Sequence, residues 1–331
     1  MSKTTLSDVA RRAGVSTMTV SRVLNGRGGA SPETSDRIRQ AAEELAYRPN
    51  AVARALKSDR SGIIGVVVPD ISNPFFPEII RGAESVAMRH GYNLLLCNVI
   101  ESADREIDVL RVLETQRVDG VILCSARLPE KPLLQALKQY KAAVVINRSV
   151  PSAAAGCINI DYRQGAYEAT RHLWDSGRRR IGIVAGPETS HGAAQRLEGV
   201  RSFFASVGGR ELGIAHCTPD VAGGQTASLQ LLEAHPDLDG LVCYNDLNAI
   251  GALKSCGRAG RAVPGAVSII GFDGIPLGEL VTPPLSTIYV DKYSIGQLGM
   301  RMLLDRLGGK FTQQSILIRP ELLARESSRS V

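Results

Sequence analysis

The stretch "LSDVARRAGVSTMTVSRVLNG", residues 6–26, carries two helical patterns separated by a break at Ala13-Gly14-Val15-Ser16. Leu6, Val9, Ala10 and Ala13 follow i, i+3, i+4, i+7 spacing and so share one face of a short helix. Gly14 offers the left-handed conformation that ends such a helix, and Ser16 is a good N-cap for a second one. In that second helix Val20, Val23 and Leu24 point inward. Thr17, Met18, Ser21, Arg22 and Asn25 are left uncommitted. The small Ala10 and Gly14 allow the two helices to cross closely. On periodicity alone a surface helical hairpin reads the same way, so the neighbouring sequence decides.

Downstream, "SPETSDRIRQAAEELAY" (31–47) opens with Ser31 as N-cap and Pro32 at the first helical position, then sets Ile38, Ala41, Ala42 and Leu45 on one face. This third helix completes a small three-helix core, which favours a helix-turn-helix whose outward row enters a major groove. In "YRPNAVARALKSDRSG" (47–62), Pro49 ends that helix and Asn50 caps a two-turn segment bearing Ala51, Val52, Ala53, Ala55 and Leu56. So short a helix is unstable alone in water and needs a partner to fold. Residues 1–60 hold 11 of the 39 Lys and Arg but 6 of the 33 Asp and Glu, so +5 of the net +6 lies there. That excess suits an anionic partner, or else a solvated basic surface.

From Ser61 onward the pattern changes. "IIGVVV" (63–68), "NLLLC" (93–97), "GVILC" (120–124) and "AVVIN" (143–147) read as buried strands separated by helices near 75–90, 103–116 and 131–140. A second series, "IGIVAG" (181–186), "GLVCY" (240–244) and "VSIIGFD" (267–273), alternates with helices near 191–207, 223–235 and 246–259. Alternating units of this kind build doubly wound parallel sheets. "RVDGVILCSA" (117–126) echoes "DLDGLVCYND" (237–246), which implies two similar lobes. Ligands of open α/β sheets sit beyond the carboxyl ends of the strands, so facing lobes would enclose one in the cleft between them.

A chain of 331 residues with 44% apolar and 22% charged residues has material for two or three domains. The six cysteines, at 97, 124, 157, 217, 243 and 256, show no C-x-x-C pairing or His interleaving and read as small buried hydrophobes. No G-x-G-x-x-G fingerprint, P-loop, G-x-S-x-G elbow or metal-spaced His/Cys cluster is present, so catalysis has no candidate residues and neither metal nor cofactor is expected. The N-terminus lacks a signal-peptide core and no run approaches a membrane span, so the expected location is cytoplasmic. This counts against a periplasmic ligand carrier.

The segments "TLSDVARRAGVSTMTVSRVLN", "SPETSDRIRQAAEELAYRPN" and "NAVARAL" resemble the DNA-binding headpiece of the lactose-repressor (LacI/GalR) family of bacterial transcription regulators. "PDISNPFF", "RVDGVIL", "GPETSHGAAQRLEGV", "YNDLNAIGAL", "VPGAVSIIGFDG" and "TPPLSTI" extend the resemblance to the family's effector domain, similar to periplasmic sugar-binding proteins, and so over nearly the whole chain. It implies an all-α helix-turn-helix headpiece (1–48), a hinge helix and linker (49–60) and a two-lobed α/β effector-binding and dimerisation domain (61–331). Lobe 1 would hold about 61–160 and 289–318, and lobe 2 about 161–288 and 319–331. "GRGGAS", with Ala30 for a larger apolar residue, Asn147 for Asp, Tyr162 for Asn and Arg178 for His depart from the family pattern.

The implied function is a ligand-responsive regulator, most often a repressor, that reads a near-palindromic double-stranded operator as a homodimer. Thr17, Met18 and Arg22 would read bases, Arg22 fitting a phosphate contact as well and Met18 only an apolar one. Ser16, Thr19, Ser21 and Asn25 would assist at phosphates, Thr5, Leu6 and Asn50 complete the expected DNA-binding residues, and Tyr47 would pack the headpiece. Leu56, with Ala53 beside it, would wedge into the central minor groove. For the effector, expected to be a monosaccharide or sugar derivative, Arg196, Asp273 and Asn245 are the main expected contacts. Phe75 and Phe76 would cover a ring face, and Asp70, Asn147, Asp161 and Ser190 would add hydrogen bonds. Asp246 suits the helix dipole better than a ligand contact. The C-terminal "LLARESSRSV" has no apolar heptad of the tetramerising kind.

Overall fold

The computed structural model describes residues 4–25, 28–47, 60–151, 153–310 and 315–329. The chain falls into two units, 1–61 and 62–331. In the first, α1 (Leu6–Ala13), α2 (Thr17–Leu24) and α3 (Pro32–Glu44) enclose Val9, Ala10, Ala13, Val20, Val23, Ile38, Ala41 and Ala42. Thr5 and Asp8 form a reciprocal capping box at the start of α1. Gly14, at φ 65°, ends that helix in the left-handed conformation. Ser16 and Ser31 accept the Thr19 and Thr34 amides at 3.1 and 3.2 Å, which fixes where α2 and α3 begin. Arg37 Nε donates to the Ala13 carbonyl at 2.9 Å, so α3 also secures the end of α1. Ala30 and Tyr47 pack against this core, half-buried. The expected hinge residues Asn50, Ala53 and Leu56 lie outside the described residues.

The second unit holds two six-stranded sheets. The first is ordered β11 (Ser315–Ile318), β5 (Gly156–Ile160), β4 (Ala143–Ile146), β3 (Gly120–Cys124), β1 (Ile63–Val68), β2 (Asn93–Asn98), all parallel. The second is ordered β12 (Glu321–Leu323), β10 (Ser286–Tyr289), β9 (Ser268–Asp273), β8 (Gly240–Cys243), β6 (Ile181–Ala185), β7 (Ile214–His216), with only β12 antiparallel. Central strands β3 and β9 are buried along their whole length, as strands covered on both faces must be.

Helices α4 (Phe75–Arg89), α5 (Ala103–Thr115) and α6 (Glu130–Leu137) flank the first sheet, joined by α12 (Lys292–Leu307), which packs on α4 and on β3, β4 and β5. The second sheet is flanked by α7 (Tyr162–Asp175), α8 (His191–Ser206), α9 (Val221–Ala234), α10 (Asp246–Arg258) and the short α11 (Leu277–Leu280). The chain therefore changes sheet after Ile160, after Tyr289 and after Ile318. Arg178 ties the second lobe together, its guanidinium donating to Ser268 Oγ at 2.9 Å and to the Pro264 carbonyl at 2.6 Å.

Candidate functional site: a reading helix and an interlobe cleft

On the first unit α2 turns Thr17, Met18 and Arg22 to solvent, with Met18 71% exposed. Ser16 and Thr19 are tied to each other at 2.9 Å, and Asn25 Nδ2 donates to the Ser21 carbonyl at 2.6 Å, so these four shape the helix ends. Leu6 is half-buried against the core and Thr5 serves the α1 cap, where its hydroxyl donates to Asp8 at 2.6 Å. The Arg22 guanidinium lies over Gly29, whose φ is +96°; a Cβ there would stand 2.9 Å from Arg22 Cζ. The pose of Arg22 thus depends on the glycine-rich loop before α3.

In the second unit, the carboxyl ends of the strands meet around a narrow space. Ser125, Ala126 and Arg127 follow β3, and Asn147 follows β4. From the other lobe come Tyr162, Ser190, His191, Gly192, Arg196 and Tyr244. Arg196 is the centre of the site. Its guanidinium is stacked among Tyr162, Phe272 and Tyr244 at 3.8, 4.1 and 4.6 Å from the ring centroids. It donates to the Gly192 carbonyl at 3.2 Å and pairs with Asp273 at 3.4 Å. Arg196 Nε and Asn147 Oδ1 are buried with no partner in the protein. Orphaned groups of this kind carry a desolvation cost that a ligand relieves.

Asp273 sits at φ 108°, a region costly for a residue with a side chain. The segment after it is held from three sides. Asp246 accepts the Ile275 amide at 2.7 Å and the Thr287 hydroxyl at 2.6 Å, and Thr287 Oγ1 in turn accepts the Gly274 amide at 3.2 Å. Lys292 Nζ, at the start of α12, donates to the carbonyls of Asp273, Gly274 and Val290 at 2.6, 3.0 and 3.0 Å. Burial pushes Asp246 up to about 7, helped by the neighbouring Asp273 charge. Burial also pushes Asp273 up, to about 6, against the pull of Arg196 and Lys292.

Of the expected effector residues, Asn147, Ser190 and Arg196 line the space, and Asp273 stands behind Arg196. Others are placed differently. Phe75 and Phe76 pack edge to face at 5.2 Å inside the core rather than on the cavity wall, because α4 turns both into the first lobe. Asp70 caps its own turn, accepting the Ser72 amide and hydroxyl at 2.9 and 2.7 Å. Asp161 accepts the Gln164 amide at 3.0 Å as the α7 N-cap. Asn245 is spent on the α10 cap, accepting from Asn248 at 2.8 Å and donating to Pro219 at 3.1 Å. Tyr244, Arg127 and His191 escaped the sequence reading, and Tyr162 entered it only as a departure from the family pattern, although each stands within a few residues of a strand exit or a helix start. Asp246, read as a dipole partner, proves to be the buried latch of the 273–275 segment.

Fold and site together define a two-lobed small-molecule binder joined to a helix-turn-helix reader. Residues 5–50 match the family described as bacterial regulatory proteins, lacI family, and residues 61–325 match periplasmic binding proteins and sugar binding domain of LacI family. The ribose operon repressor of Halalkalibacterium halodurans is 38% identical over 93% of this chain and 91% of its own. The transcriptional repressor CytR of Escherichia coli is 36% identical over 99% and 97%. A crystal structure of the lac repressor dimer bound to operator and the anti-inducer ONPF superimposes with a TM-score of 0.91, at 26% identity, covering 99% of this chain and all of that one. The chain belongs to the LacI family of bacterial regulatory proteins, and it is a DNA-binding transcriptional regulator with a sugar-binding-type effector domain. Among the described residues no helix is long and apolar enough to cross a membrane.

Proposed function

We propose that the protein is a bacterial repressor, acting in the cytoplasm, that binds a near-palindromic operator as a homodimer and is controlled by a monosaccharide or sugar derivative held in the interlobe cleft. The observation that carries the effector half is the pair of buried, unpartnered atoms Arg196 Nε and Asn147 Oδ1 on the cavity wall. A donor from one lobe and an acceptor from the other, both left open at one space, suit a hydroxyl-bearing ligand. The relatives named as repressors, one of them of a ribose operon, support the repressor half. For the dimer, exposed Ile71, Leu95, Leu96 and Ile100 gather at the free edge of the first sheet, where the Ile71 amide donates to Asn98 Oδ1 at 3.2 Å. An apolar edge strand of this kind calls for a cover.

Response to the effector is then a binding equilibrium with no chemical step. Whatever factor the effector imposes on operator affinity, the operator imposes on effector affinity. The test is operator binding with and without a panel of monosaccharides and their derivatives, on wild type and Arg196→Ala. The expected result is a ligand-dependent change in operator affinity that the variant loses while it still binds the operator. A variant that responds like the wild type refutes the assigned cleft.

A further inference from the structure

The cleft is built asymmetrically in charge. Arg127 and Arg196, both buried, line it together with His191, and among the described residues no Asp or Glu lines it. The nearby carboxylates are committed behind the wall. Glu101 accepts Arg127 Nε at 2.6 Å, Glu106 accepts the Arg127 and Leu128 amides at 2.7 and 3.2 Å, and Asp273 pairs with Arg196. Arg127 Nη1 is taken by the Ser125 carbonyl at 2.6 Å. Arg148 donates to the carbonyls of Ala126 and Leu128 on the same loop, and the Glu106 carboxylate behind the wall is a negative charge that faces it. The Arg148 charge reaches His191, where after burial it is the second cause holding the imidazole below its ordinary value.

Resting on the effector reading above, we propose that the effector is an anionic sugar derivative, its carboxylate or phosphate monoester seated against Arg127, Arg148 and His191. Its hydroxyls meet Arg196 Nε and Asn147 Oδ1. The open donor and acceptor serve the hydroxyls, which leaves the basic side chains of the lining for a negative group. Guanidinium forks match planar carboxylates and phosphates, and a poorly solvated space lined by Arg127, His191 and Arg196 without a carboxylate among its described lining favours a negative group more than water would.

The test is calorimetric titration of the full-length protein with matched sets: D-ribose, D-ribonate and ribose 5-phosphate, then D-glucose, D-gluconate and glucose 6-phosphate. The expected result is that an anionic member binds about tenfold or more tighter than its neutral parent, each tenfold being about 1.4 kcal/mol. Preference for the carboxylate or for the phosphate identifies which anion the site takes. Arg148→Gln should remove that preference while leaving neutral-sugar affinity within about twofold, and Arg148→Lys should keep most of it. Neutral sugars binding as tightly as every anion, or no binding by any anionic member, overturns the inference. An operator-binding assay on the same preparation keeps the two readings apart, since a chain that binds operator and answers to neutral sugars alone refutes the anion and leaves the regulator standing.

Discussion

Asp246 shows how one buried carboxyl can be read as chemistry and turn out to hold geometry. Its oxygens accept Ile275 N–H and the Thr287 hydroxyl, which fixes the segment that presents Asp273 to Arg196. Because the folded-state values of Asp246 and Asp273 lie above the ordinary 3.8, the folded chain keeps protons that the unfolded chain has released. Between about pH 4 and 7 that difference makes stability fall as pH rises, the reverse of an ion-paired surface carboxylate. Denaturation midpoints across this window should decline in the wild type and decline less in Asp246→Asn; an identical slope in both contradicts the assignment. Arg196 was legible through the family resemblance of "GPETSHGAAQRLEGV", not through any local periodicity. Tyr162 and Tyr244 were not, since their stacking on Arg196 joins residues 34 and 48 positions away from it, which no local periodicity reports.

The helices of the two lobes meet in pairs through glycines. A Cβ on Gly296 of α12 would lie 1.9 Å from the Ile79 carbonyl of α4, and one on Gly82 of α4 would lie 2.0 Å from the Tyr293 carbonyl. Gly199 of α8 against Arg163, and Gly224 of α9 against Asn248 of α10, repeat the device at 2.1 and 2.3 Å. Since backbone rather than a flexible side chain occupies the space, Gly296→Ala should cost at least about 2 kcal/mol through overpacking and backbone displacement. A urea midpoint unchanged from wild type would show that the helices separate at little cost. At the headpiece, Ser16→Ala should remove about 1 kcal/mol by freeing the Thr19 amide, and should weaken operator binding with it. An operator affinity equal to the wild type's would mean that α2 keeps its start without the cap.

The same glycines explain what the sequence concealed at this scale. Strands β1, β2, β3, β4, β6, β8 and β9 announced themselves as apolar runs, and the three headpiece helices by periodicity and caps. Helices α7 and α12 did not, because glycine and alanine at Gly165, Ala166, Ala169, Gly296 and Gly299 replace the large apolar residues that mark a buried face. Strand β10 buries Ser286 and Thr287, whose hydroxyls bond to the Arg325 carbonyl at 3.0 Å and to Asp246, so its polarity masks its position. Edge strands β7 and β12 are three residues each, too short for alternation to register.

For the whole molecule, three changes of sheet knit the lobes into one unit, so a ligand drawn into the cleft bears on strands and helices supplied by distant stretches of chain. Lys292 illustrates this. It heads α12 of the first lobe, yet its ammonium is bonded to the carbonyls of Asp273 and Gly274 at the end of a second-lobe strand. Neutralising it in Lys292→Met should lower effector affinity more than operator affinity, as read by paired titrations; equal losses would assign it to folding alone. The most direct test of the central claim is selection from a random pool of double-stranded DNA by the purified protein, at stated salt because phosphate contacts make affinity salt-dependent. Recovery of a near-palindrome with a flexible central step is the predicted result, and failure to enrich any sequence, with or without sugars present, contradicts the reading of α2 as the helix that recognises DNA.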